Sequence, residues 1–261
     1  MKLSIHGCRG SVPTSSGSTH KYGGNTSCFE IITENNQIIF DAGTGFKNVK
    51  FSKSRASFLL LSHFHHDHIQ GLPFNPELFD PKNEIIISSG LCDIELVKQT
   101  IQKCFSPPYF PFDIVSLLSN IKFLPFNAVQ DKLGKAISLG SMLLKHPGGS
   151  TGYKLIEKNS SFIYICDNEF DETQRKSLVN FSKNADLLIW DGMFTQRELA
   201  DKKGWGHSSI EQAIDFNSEA NCKKILIAHH APSRSDKELD YIAKDLPELF
   251  ILARDELEMG V

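Results

Sequence analysis

His63, His65, Asp67 and His68 fall within six consecutive residues, His63-Phe64-His65-His66-Asp67-His68. Imidazole nitrogens with one carboxylate suit zinc, and also iron or manganese, better than calcium or magnesium, which take all-oxygen shells. The spacing is not the i, i+4 of a helical zinc site, so a tight turn must gather these ligands. The chain has 10 His in 261 residues, and a chance run of this form would arise on the order of once in a thousand such chains. A metal site is the better reading than a histidine-rich surface loop.

The elements around the run explain how it could be aimed. It directly follows Phe58-Leu59-Leu60-Leu61, and a short apolar run that breaks at once into polar residues reads as a buried strand opening into a loop. The same pattern recurs. A strand at 141–145 ends at His146-Pro147-Gly148-Gly149, one at 161–166 ends at Asp167, one at 186–190 ends at Asp191, and Lys224–Ala228 delivers His229-His230. Of the last pair, His229 is preferred as the ligand because it follows the strand directly. Strands at 28–34 and 37–41, joined at Asn35-Asn36, form a hairpin that ends in Asp41. His207 precedes a helix whose start is marked by Ser208 and Glu211 as a capping box. Further strands are expected at 2–6, 84–88, 121–126, 136–139 and 151–157. Helices are expected at 93–104, from Asp171 (with Gln174 at the capping-box position) to about 182, and from Asp236 onward. The aromatic, proline-rich stretch 105–112 reads as irregular.

Composition narrows the class. With 40% apolar residues and no linker, repeat or low-complexity segment, residues 1–261 read as one domain with a substantial core. The net charge of −3 provides no overall field for nucleic acid. No apolar run approaches the ~20 residues of a membrane span. The start, Lys2-Leu3-Ser4-Ile5, is strand-like rather than a secretory leader. The six cysteines form no Cys-x-x-Cys pair, which suits reduced thiols and a cytoplasmic setting.

The run His63-x-His65-x-Asp67-His68, with strand-end residues at 146, 167 and 229, resembles the metallo-β-lactamase-fold hydrolases along essentially the whole chain. That resemblance implies an α+β fold, a four-layer αβ/βα sandwich of two packed mixed sheets flanked by helices. It also implies two divalent transition-metal ions, Zn2+ first with Mn2+ or Fe2+ as alternatives. His63, His65 and His146 would hold one, Asp67, His68 and His229 the other, and Asp167 would bridge them. Asp41 would support a ligand histidine. Gly-His-Ser-Ser with Leu-Ile-Ala-His-His looks like the ribonuclease Z and cyclic-phosphodiesterase branch.

Two such ions lower the pKa of a shared water. The remaining need is a proton donor for the leaving oxygen. His207 is the candidate, oriented by Asp191, with Asp67 counted among the catalytic groups as well as the ligands and Arg234 as a phosphate grip. Three functions compete: a phosphodiesterase on small or cyclic phosphodiesters, a ribonuclease Z-like nuclease, and a non-catalytic metal-binding sensor or scaffold. β-Lactam or thioester hydrolysis is also within reach of such a fold. That branch's nucleases usually carry a long tRNA-gripping arm between the third ligand histidine and the bridging aspartate. Here His146 and Asp167 are 21 positions apart, filled by a hairpin. A small substrate is therefore favoured over large RNA, and a homodimer is left open.

Overall fold

A computed structural model describes all 261 residues. Thirteen strands form two sheets. The first contains β1 (Lys2–Gly7), β2 (Cys28–Ile32), β3 (Asn36–Phe40), β4 (Ala56–Leu61), β5 (Ile85–Ser89) and β6 (Ile121–Phe123), with β13 (Glu258–Gly260) beside β1. The second contains β7 (Ile137–Leu144), β8 (Ser150–Glu157), β9 (Ser160–Ile165), β10 (Leu187–Asp191), β11 (Ile225–Ala228) and β12 (Phe250–Leu252). Each sheet is mixed. β1–β2–β3 and β7–β8–β9 are antiparallel, whereas β3 to β6 and β9 to β12 run parallel.

Alternation along the strands builds the layers. Phe58 and Leu60 of β4, with Phe162 and Tyr164 of β9, point into the core between the sheets. Their neighbours Leu59 and Leu61 pack outward under α2 (Ile94–Cys104) and α3 (Ile114–Leu117), and Ile163 and Ile165 under α5 (Glu172–Ser182) and α7 (Ile210–Ala220), the short α6 (Gln196–Leu199) lying between those two in the chain. A strand covered on both faces must be apolar throughout, which is why these runs carry no polar alternation. Helix, sheet, sheet, helix is the four-layer sandwich expected.

Several local expectations change. Residues 126–133 form a helix, α4, whose Val129 and Leu133 plug the end of the inter-sheet core. Its i, i+3, i+7 spacing of Phe126, Val129 and Leu133 is hidden behind the apolar run that opens at Ile121. The two strands expected at 136–139 and 141–145 are the single strand β7. The histidine-rich run closes into one helical turn, α1 (His66–Ile69), with His65 as its N-cap. The capping box of α7 lies one residue later than expected, on Ser209 and Gln212. Ser208 is turned inward instead: its hydroxyl donates to the Asn168 carbonyl and accepts the Phe170 N–H. Asp171 does cap α5, but the Gln174 amide donates to Asn168 and the Glu169 carbonyl. No helix is long and apolar enough to cross a membrane, and all six cysteines are free.

Candidate metal centre

The two sheets deliver their strand ends to one edge. Asp41 follows β3, His63 follows β4, His146 follows β7, Asp167 follows β9, Asp191 ends β10 and His229 follows β11. Asp41, Asp167 and His229 each turn away from their strands with left-handed backbones, φ of 62°, 58° and 57°. That conformation is uncommon for residues other than glycine. Here it swings each side chain out of the pleat and toward the edge.

Two candidate ligand sets result, and they share Asp167. His63, His65, His146 and Asp167 form one, and Asp67, His68, Asp167 and His229 the other, with the ligand atoms of each set within 4.8 Å of one another. In the first set His146 Nε2 lies 3.1 Å from His65 Nδ1 and 3.5 Å from Asp167 Oδ2, which is 3.6 Å from His63 Nε2. In the second, His68 Nε2 lies 3.0 Å from Asp167 Oδ1 and 3.3 Å from Asp67 Oδ2. His229 Nε2 is 3.7 Å from Asp67 Oδ2. His230 turns the other way, where its Nε2 donates to the Ala253 carbonyl.

The donors fit divalent cations. His63 Nε2, His68 Nε2, Asp167 Oδ1 and His229 Nε2 are buried without any hydrogen-bond partner, and a buried polar atom is rarely left so in a native fold. All four converge on this edge. Burial holds His63, His65 and His146 below the usual imidazole range, in the neutral form that binds metals. Burial opposes a charge on His68 too, but Asp167, Asp67 and Asp41 outweigh it and hold that ring well above the usual range. Burial would also raise Asp67 and Asp167. The imidazoles facing them (His68 for Asp67, His229 and His68 for Asp167) instead keep both carboxyls below the ordinary range. Asp41, Asp67 and Asp167 thus crowd carboxyl groups around His68, negative charge that divalent cations at this edge would offset.

The outer partners fix ring orientation. Asp41, fully buried, accepts from His68 Nδ1 and from the Ser62 N–H, the Ser62 hydroxyl and the Tyr164 hydroxyl, each at 2.7 Å. His63 Nδ1 meets Ser62 Oγ at 3.0 Å, His146 Nδ1 donates to the Gly206 carbonyl at 2.8 Å, and Ser27 Oγ lies 3.2 Å from His229 Nδ1. The Ser11 N–H donates to Asp67 Oδ2 at 2.7 Å. Ser11, Ser27, Ser62, Tyr164 and Gly206 carry no local sequence signal of these contacts, which exist only once the sheets have packed. Asp41→Asn should weaken metal affinity by roughly 10–100-fold, as loss of such a partner typically does. Competition against a graded series of chelators would measure it, and unchanged affinity would remove Asp41 from this role.

His207 lies beside the cluster, its ring stacked at 5.0 Å on His229. Its Nδ1 donates to Asp191 Oδ2 at 2.8 Å, and Asp191 also accepts the N–H groups of Asn168 and Met193. Burial works against a charged His207, but Asp191 prevails and pushes it up to about 9. A cavity of about 380 Å³ opens on Ser11, Phe64, His65, Asp67, His207 and His229. Arg234 is not brought to it. Its guanidinium donates to Glu198 and the Met193 carbonyl, and it lines a separate groove between α7 and α8 (Asp236–Asp245). Charge alone suggests a phosphate grip, but a nearby carboxylate already holds the group. The basic residue built into this end of the molecule is the fully buried Arg9, which donates to the carbonyls of Gly23, Ala231 and Arg234 and so ties down the loop after His229.

Known proteins share this frame. Residues 36–230 match the beta-lactamase superfamily domain. A ribonuclease Z of Azobacteroides pseudotrichonymphae is 21% identical over an alignment of 303 positions, gaps included, covering 100% of this chain and 98% of that protein. The crystal structure of the metallo-beta-lactamase fold protein YhfI from Bacillus subtilis superposes with a TM-score of 0.74 at 19% identity, over 99% of each chain. Human short-form tRNase Z superposes with a TM-score of 0.68 at 16% identity, over 100% of this chain and 99% of that one. With most of its length inside the family match and the ligand sets assembled at one sheet edge, the chain belongs to the beta-lactamase superfamily and is a metal-dependent hydrolase.

Proposed function

We propose that the protein is a phosphodiesterase acting on small or cyclic phosphodiesters, cyclic nucleotides among them, with two Zn2+ ions at the paired ligand sets. The observation that carries the reading is the His207–Asp191 pair, hydrogen-bonded at 2.8 Å and standing beside those sets. The cleaved bond of a phosphodiester leaves as an alkoxide, which needs a proton as it departs. Asp191 keeps a proton on His207 Nδ1 and favours the imidazolium, so Nε2 can carry the proton that the leaving oxygen takes. When bound, a pair of divalent cations supplies a water of lowered pKa and a Lewis acid for a phosphoryl oxygen. His63, His65 and His146 would hold one cation and Asp67, His68 and His229 the other, with Asp167 common to both sets.

Size supports a small substrate. Between His146 and Asp167 lie only β8, β9 and their turn, so nothing projects from this interval to grip a folded RNA. Small diesters are expected to be cleaved with a kcat/KM at least about tenfold above that for precursor tRNA, a difference of ~1.4 kcal/mol in the barrier. A second reading, an RNA 3′-processing nuclease, is favoured by the full-length relative named ribonuclease Z. One panel separates them. The purified, metal-counted protein is offered bis-p-nitrophenyl phosphate, cyclic nucleotides, a tRNA precursor, a chromogenic β-lactam and a glutathione thioester. Faster cleavage of the tRNA precursor would replace the first reading with the second. Turnover confined to the β-lactam or the thioester would overturn both.

A further inference from the structure

Trp205 occupies an unusual place for a tryptophan. It is 59% exposed, and large exposed aromatics that are nonetheless rigidly held are typical of binding surfaces rather than of solvated loops. The chain has only two tryptophans. The other, Trp190, is fully buried with its Nε1 donating to the Ser209 carbonyl.

The turn that displays Trp205 is built into the metal edge. Gly204 and Gly206 flank it with φ of +86° and +85°, a conformation that glycine adopts at little cost. A Cβ at Gly206 would lie 2.3 Å from both His146 Nδ1 and Pro147 Cδ, so no other residue fits there. The N–H groups of both glycines donate to one carboxylate oxygen of the buried Glu169, at 2.7 and 3.0 Å. The Trp205 N–H donates to the Lys202 carbonyl, and Lys202 Nζ sits 4.1 Å from the indole centroid. One residue on, the Gly206 carbonyl accepts from His146; two residues on, His207 lines the cavity. Two residues reach at most about 7 Å, so the backbone that displays the indole lies within that reach of the His207 backbone and runs straight into the segment that accepts from His146 and carries His207 to the cavity.

We infer that Trp205 is a stacking platform for the planar base of a nucleotide substrate, with Lys202 holding the ring and adding positive charge near the phosphate. This deepens, and rests on, the phosphodiesterase reading. The chemistry matches part by part. The anionic phosphodiester belongs in the cavity against the ligand sets, and a base lies one sugar away, at the rim. Stacking on an aromatic side chain tolerates any base, because every base presents a π-face, and a platform held rigid before binding loses little freedom when occupied.

The test reads equilibrium binding, so it does not depend on turnover. AMP and ribose 5-phosphate, which differ only in the base, are titrated into the metal-loaded protein while tryptophan emission is followed. AMP should quench the exposed indole saturably and bind more tightly than ribose 5-phosphate. In Trp205→Ala that preference should shrink by roughly 5- to 100-fold, the range that base stacking commonly supplies. Trp205→Phe, which keeps an aromatic face, should retain most of it. On 2′,3′-cyclic AMP the Trp205→Ala change should appear in KM rather than in kcat. Equal binding of AMP and ribose 5-phosphate by the native protein overturns the inference, as does a preference that Trp205→Ala leaves intact or that Trp205→Phe loses as fully as alanine does. A protein that prefers AMP through Trp205 yet cleaves no phosphodiester would keep the platform and lose the function proposed above. One that cleaves bis-p-nitrophenyl phosphate but ignores the base would do the reverse.

Discussion

Asp167→Ala should empty the centre of both cations and abolish hydrolysis together. Asp167 is the one residue common to both ligand sets, with Oδ1 facing His68 and His229 and Oδ2 facing His63 and His146. Without it, each set keeps three donors, and the charge that offsets two buried dications falls by one. The loss of metal affinity should exceed the roughly 10–100-fold typical of removing an outer partner. Asp167→Asn preserves the shape and should fail almost as completely, because a neutral amide oxygen is a poor bridge between two cations. Elemental analysis of the purified variants, alongside turnover of bis-p-nitrophenyl phosphate, measures both effects. A native preparation that is active without metal would sink the dinuclear reading at once.

The second large effect concerns His207. His207→Ala should keep its metals, since His207 belongs to neither paired set, while losing roughly 10²–10⁴-fold in turnover on an alkyl phosphodiester. The loss should be much smaller when p-nitrophenolate departs, because that leaving group needs no proton. Asp191→Asn should reproduce part of the effect by withdrawing the charge that holds His207 in its acid form. A different outcome is also informative. Asp167, Asp191 and His207 themselves lie within 4.8 Å of one another, so a variant that sheds metal would make His207 a ligand. Unchanged turnover on an alkyl diester would make it a packing residue, and another acid would have to be found.

Much of this centre is legible in the amino-acid sequence. Its residues sit where apolar runs stop, because a strand covered on both faces stays apolar only as far as that cover extends. Leu61 to His63, Ile165 to Asp167 and Ala228 to His229 are such boundaries, and each marks a ligand candidate whatever its partners are. What stays hidden is whatever depends on two sheets meeting. Tyr164 reads as one more core residue of β9, yet its hydroxyl crosses the sandwich to Asp41 at 2.7 Å. Arg234 reads as a free cation until Glu198 is found against it. Arg9 sits in a glycine-rich loop with no sign that it will be fully buried among carbonyls. Helix α4 is lost for a different reason. Its three apolar positions, Phe126, Val129 and Leu133, follow Phe123-Leu124 with only Pro125 between them, and so short a stretch does not establish a helical period.

The left-handed backbones of Asp41, Asp167 and His229 bear on how the molecule responds to chelation. Each sparsely populated conformation costs on the order of 1 kcal/mol or more, against a total stability of about 5–15 kcal/mol for a domain. The inter-sheet core is built of 23 buried residues and includes none of the candidate ligands. Stripping the metals should therefore relax the rim and leave the sandwich intact. Amide hydrogens of the loops after β3, β9 and β11 should then exchange rapidly while those of β4 and β10 stay protected. Such a protein would lose and regain its chemistry by local opening, without ever passing through the unfolded chain.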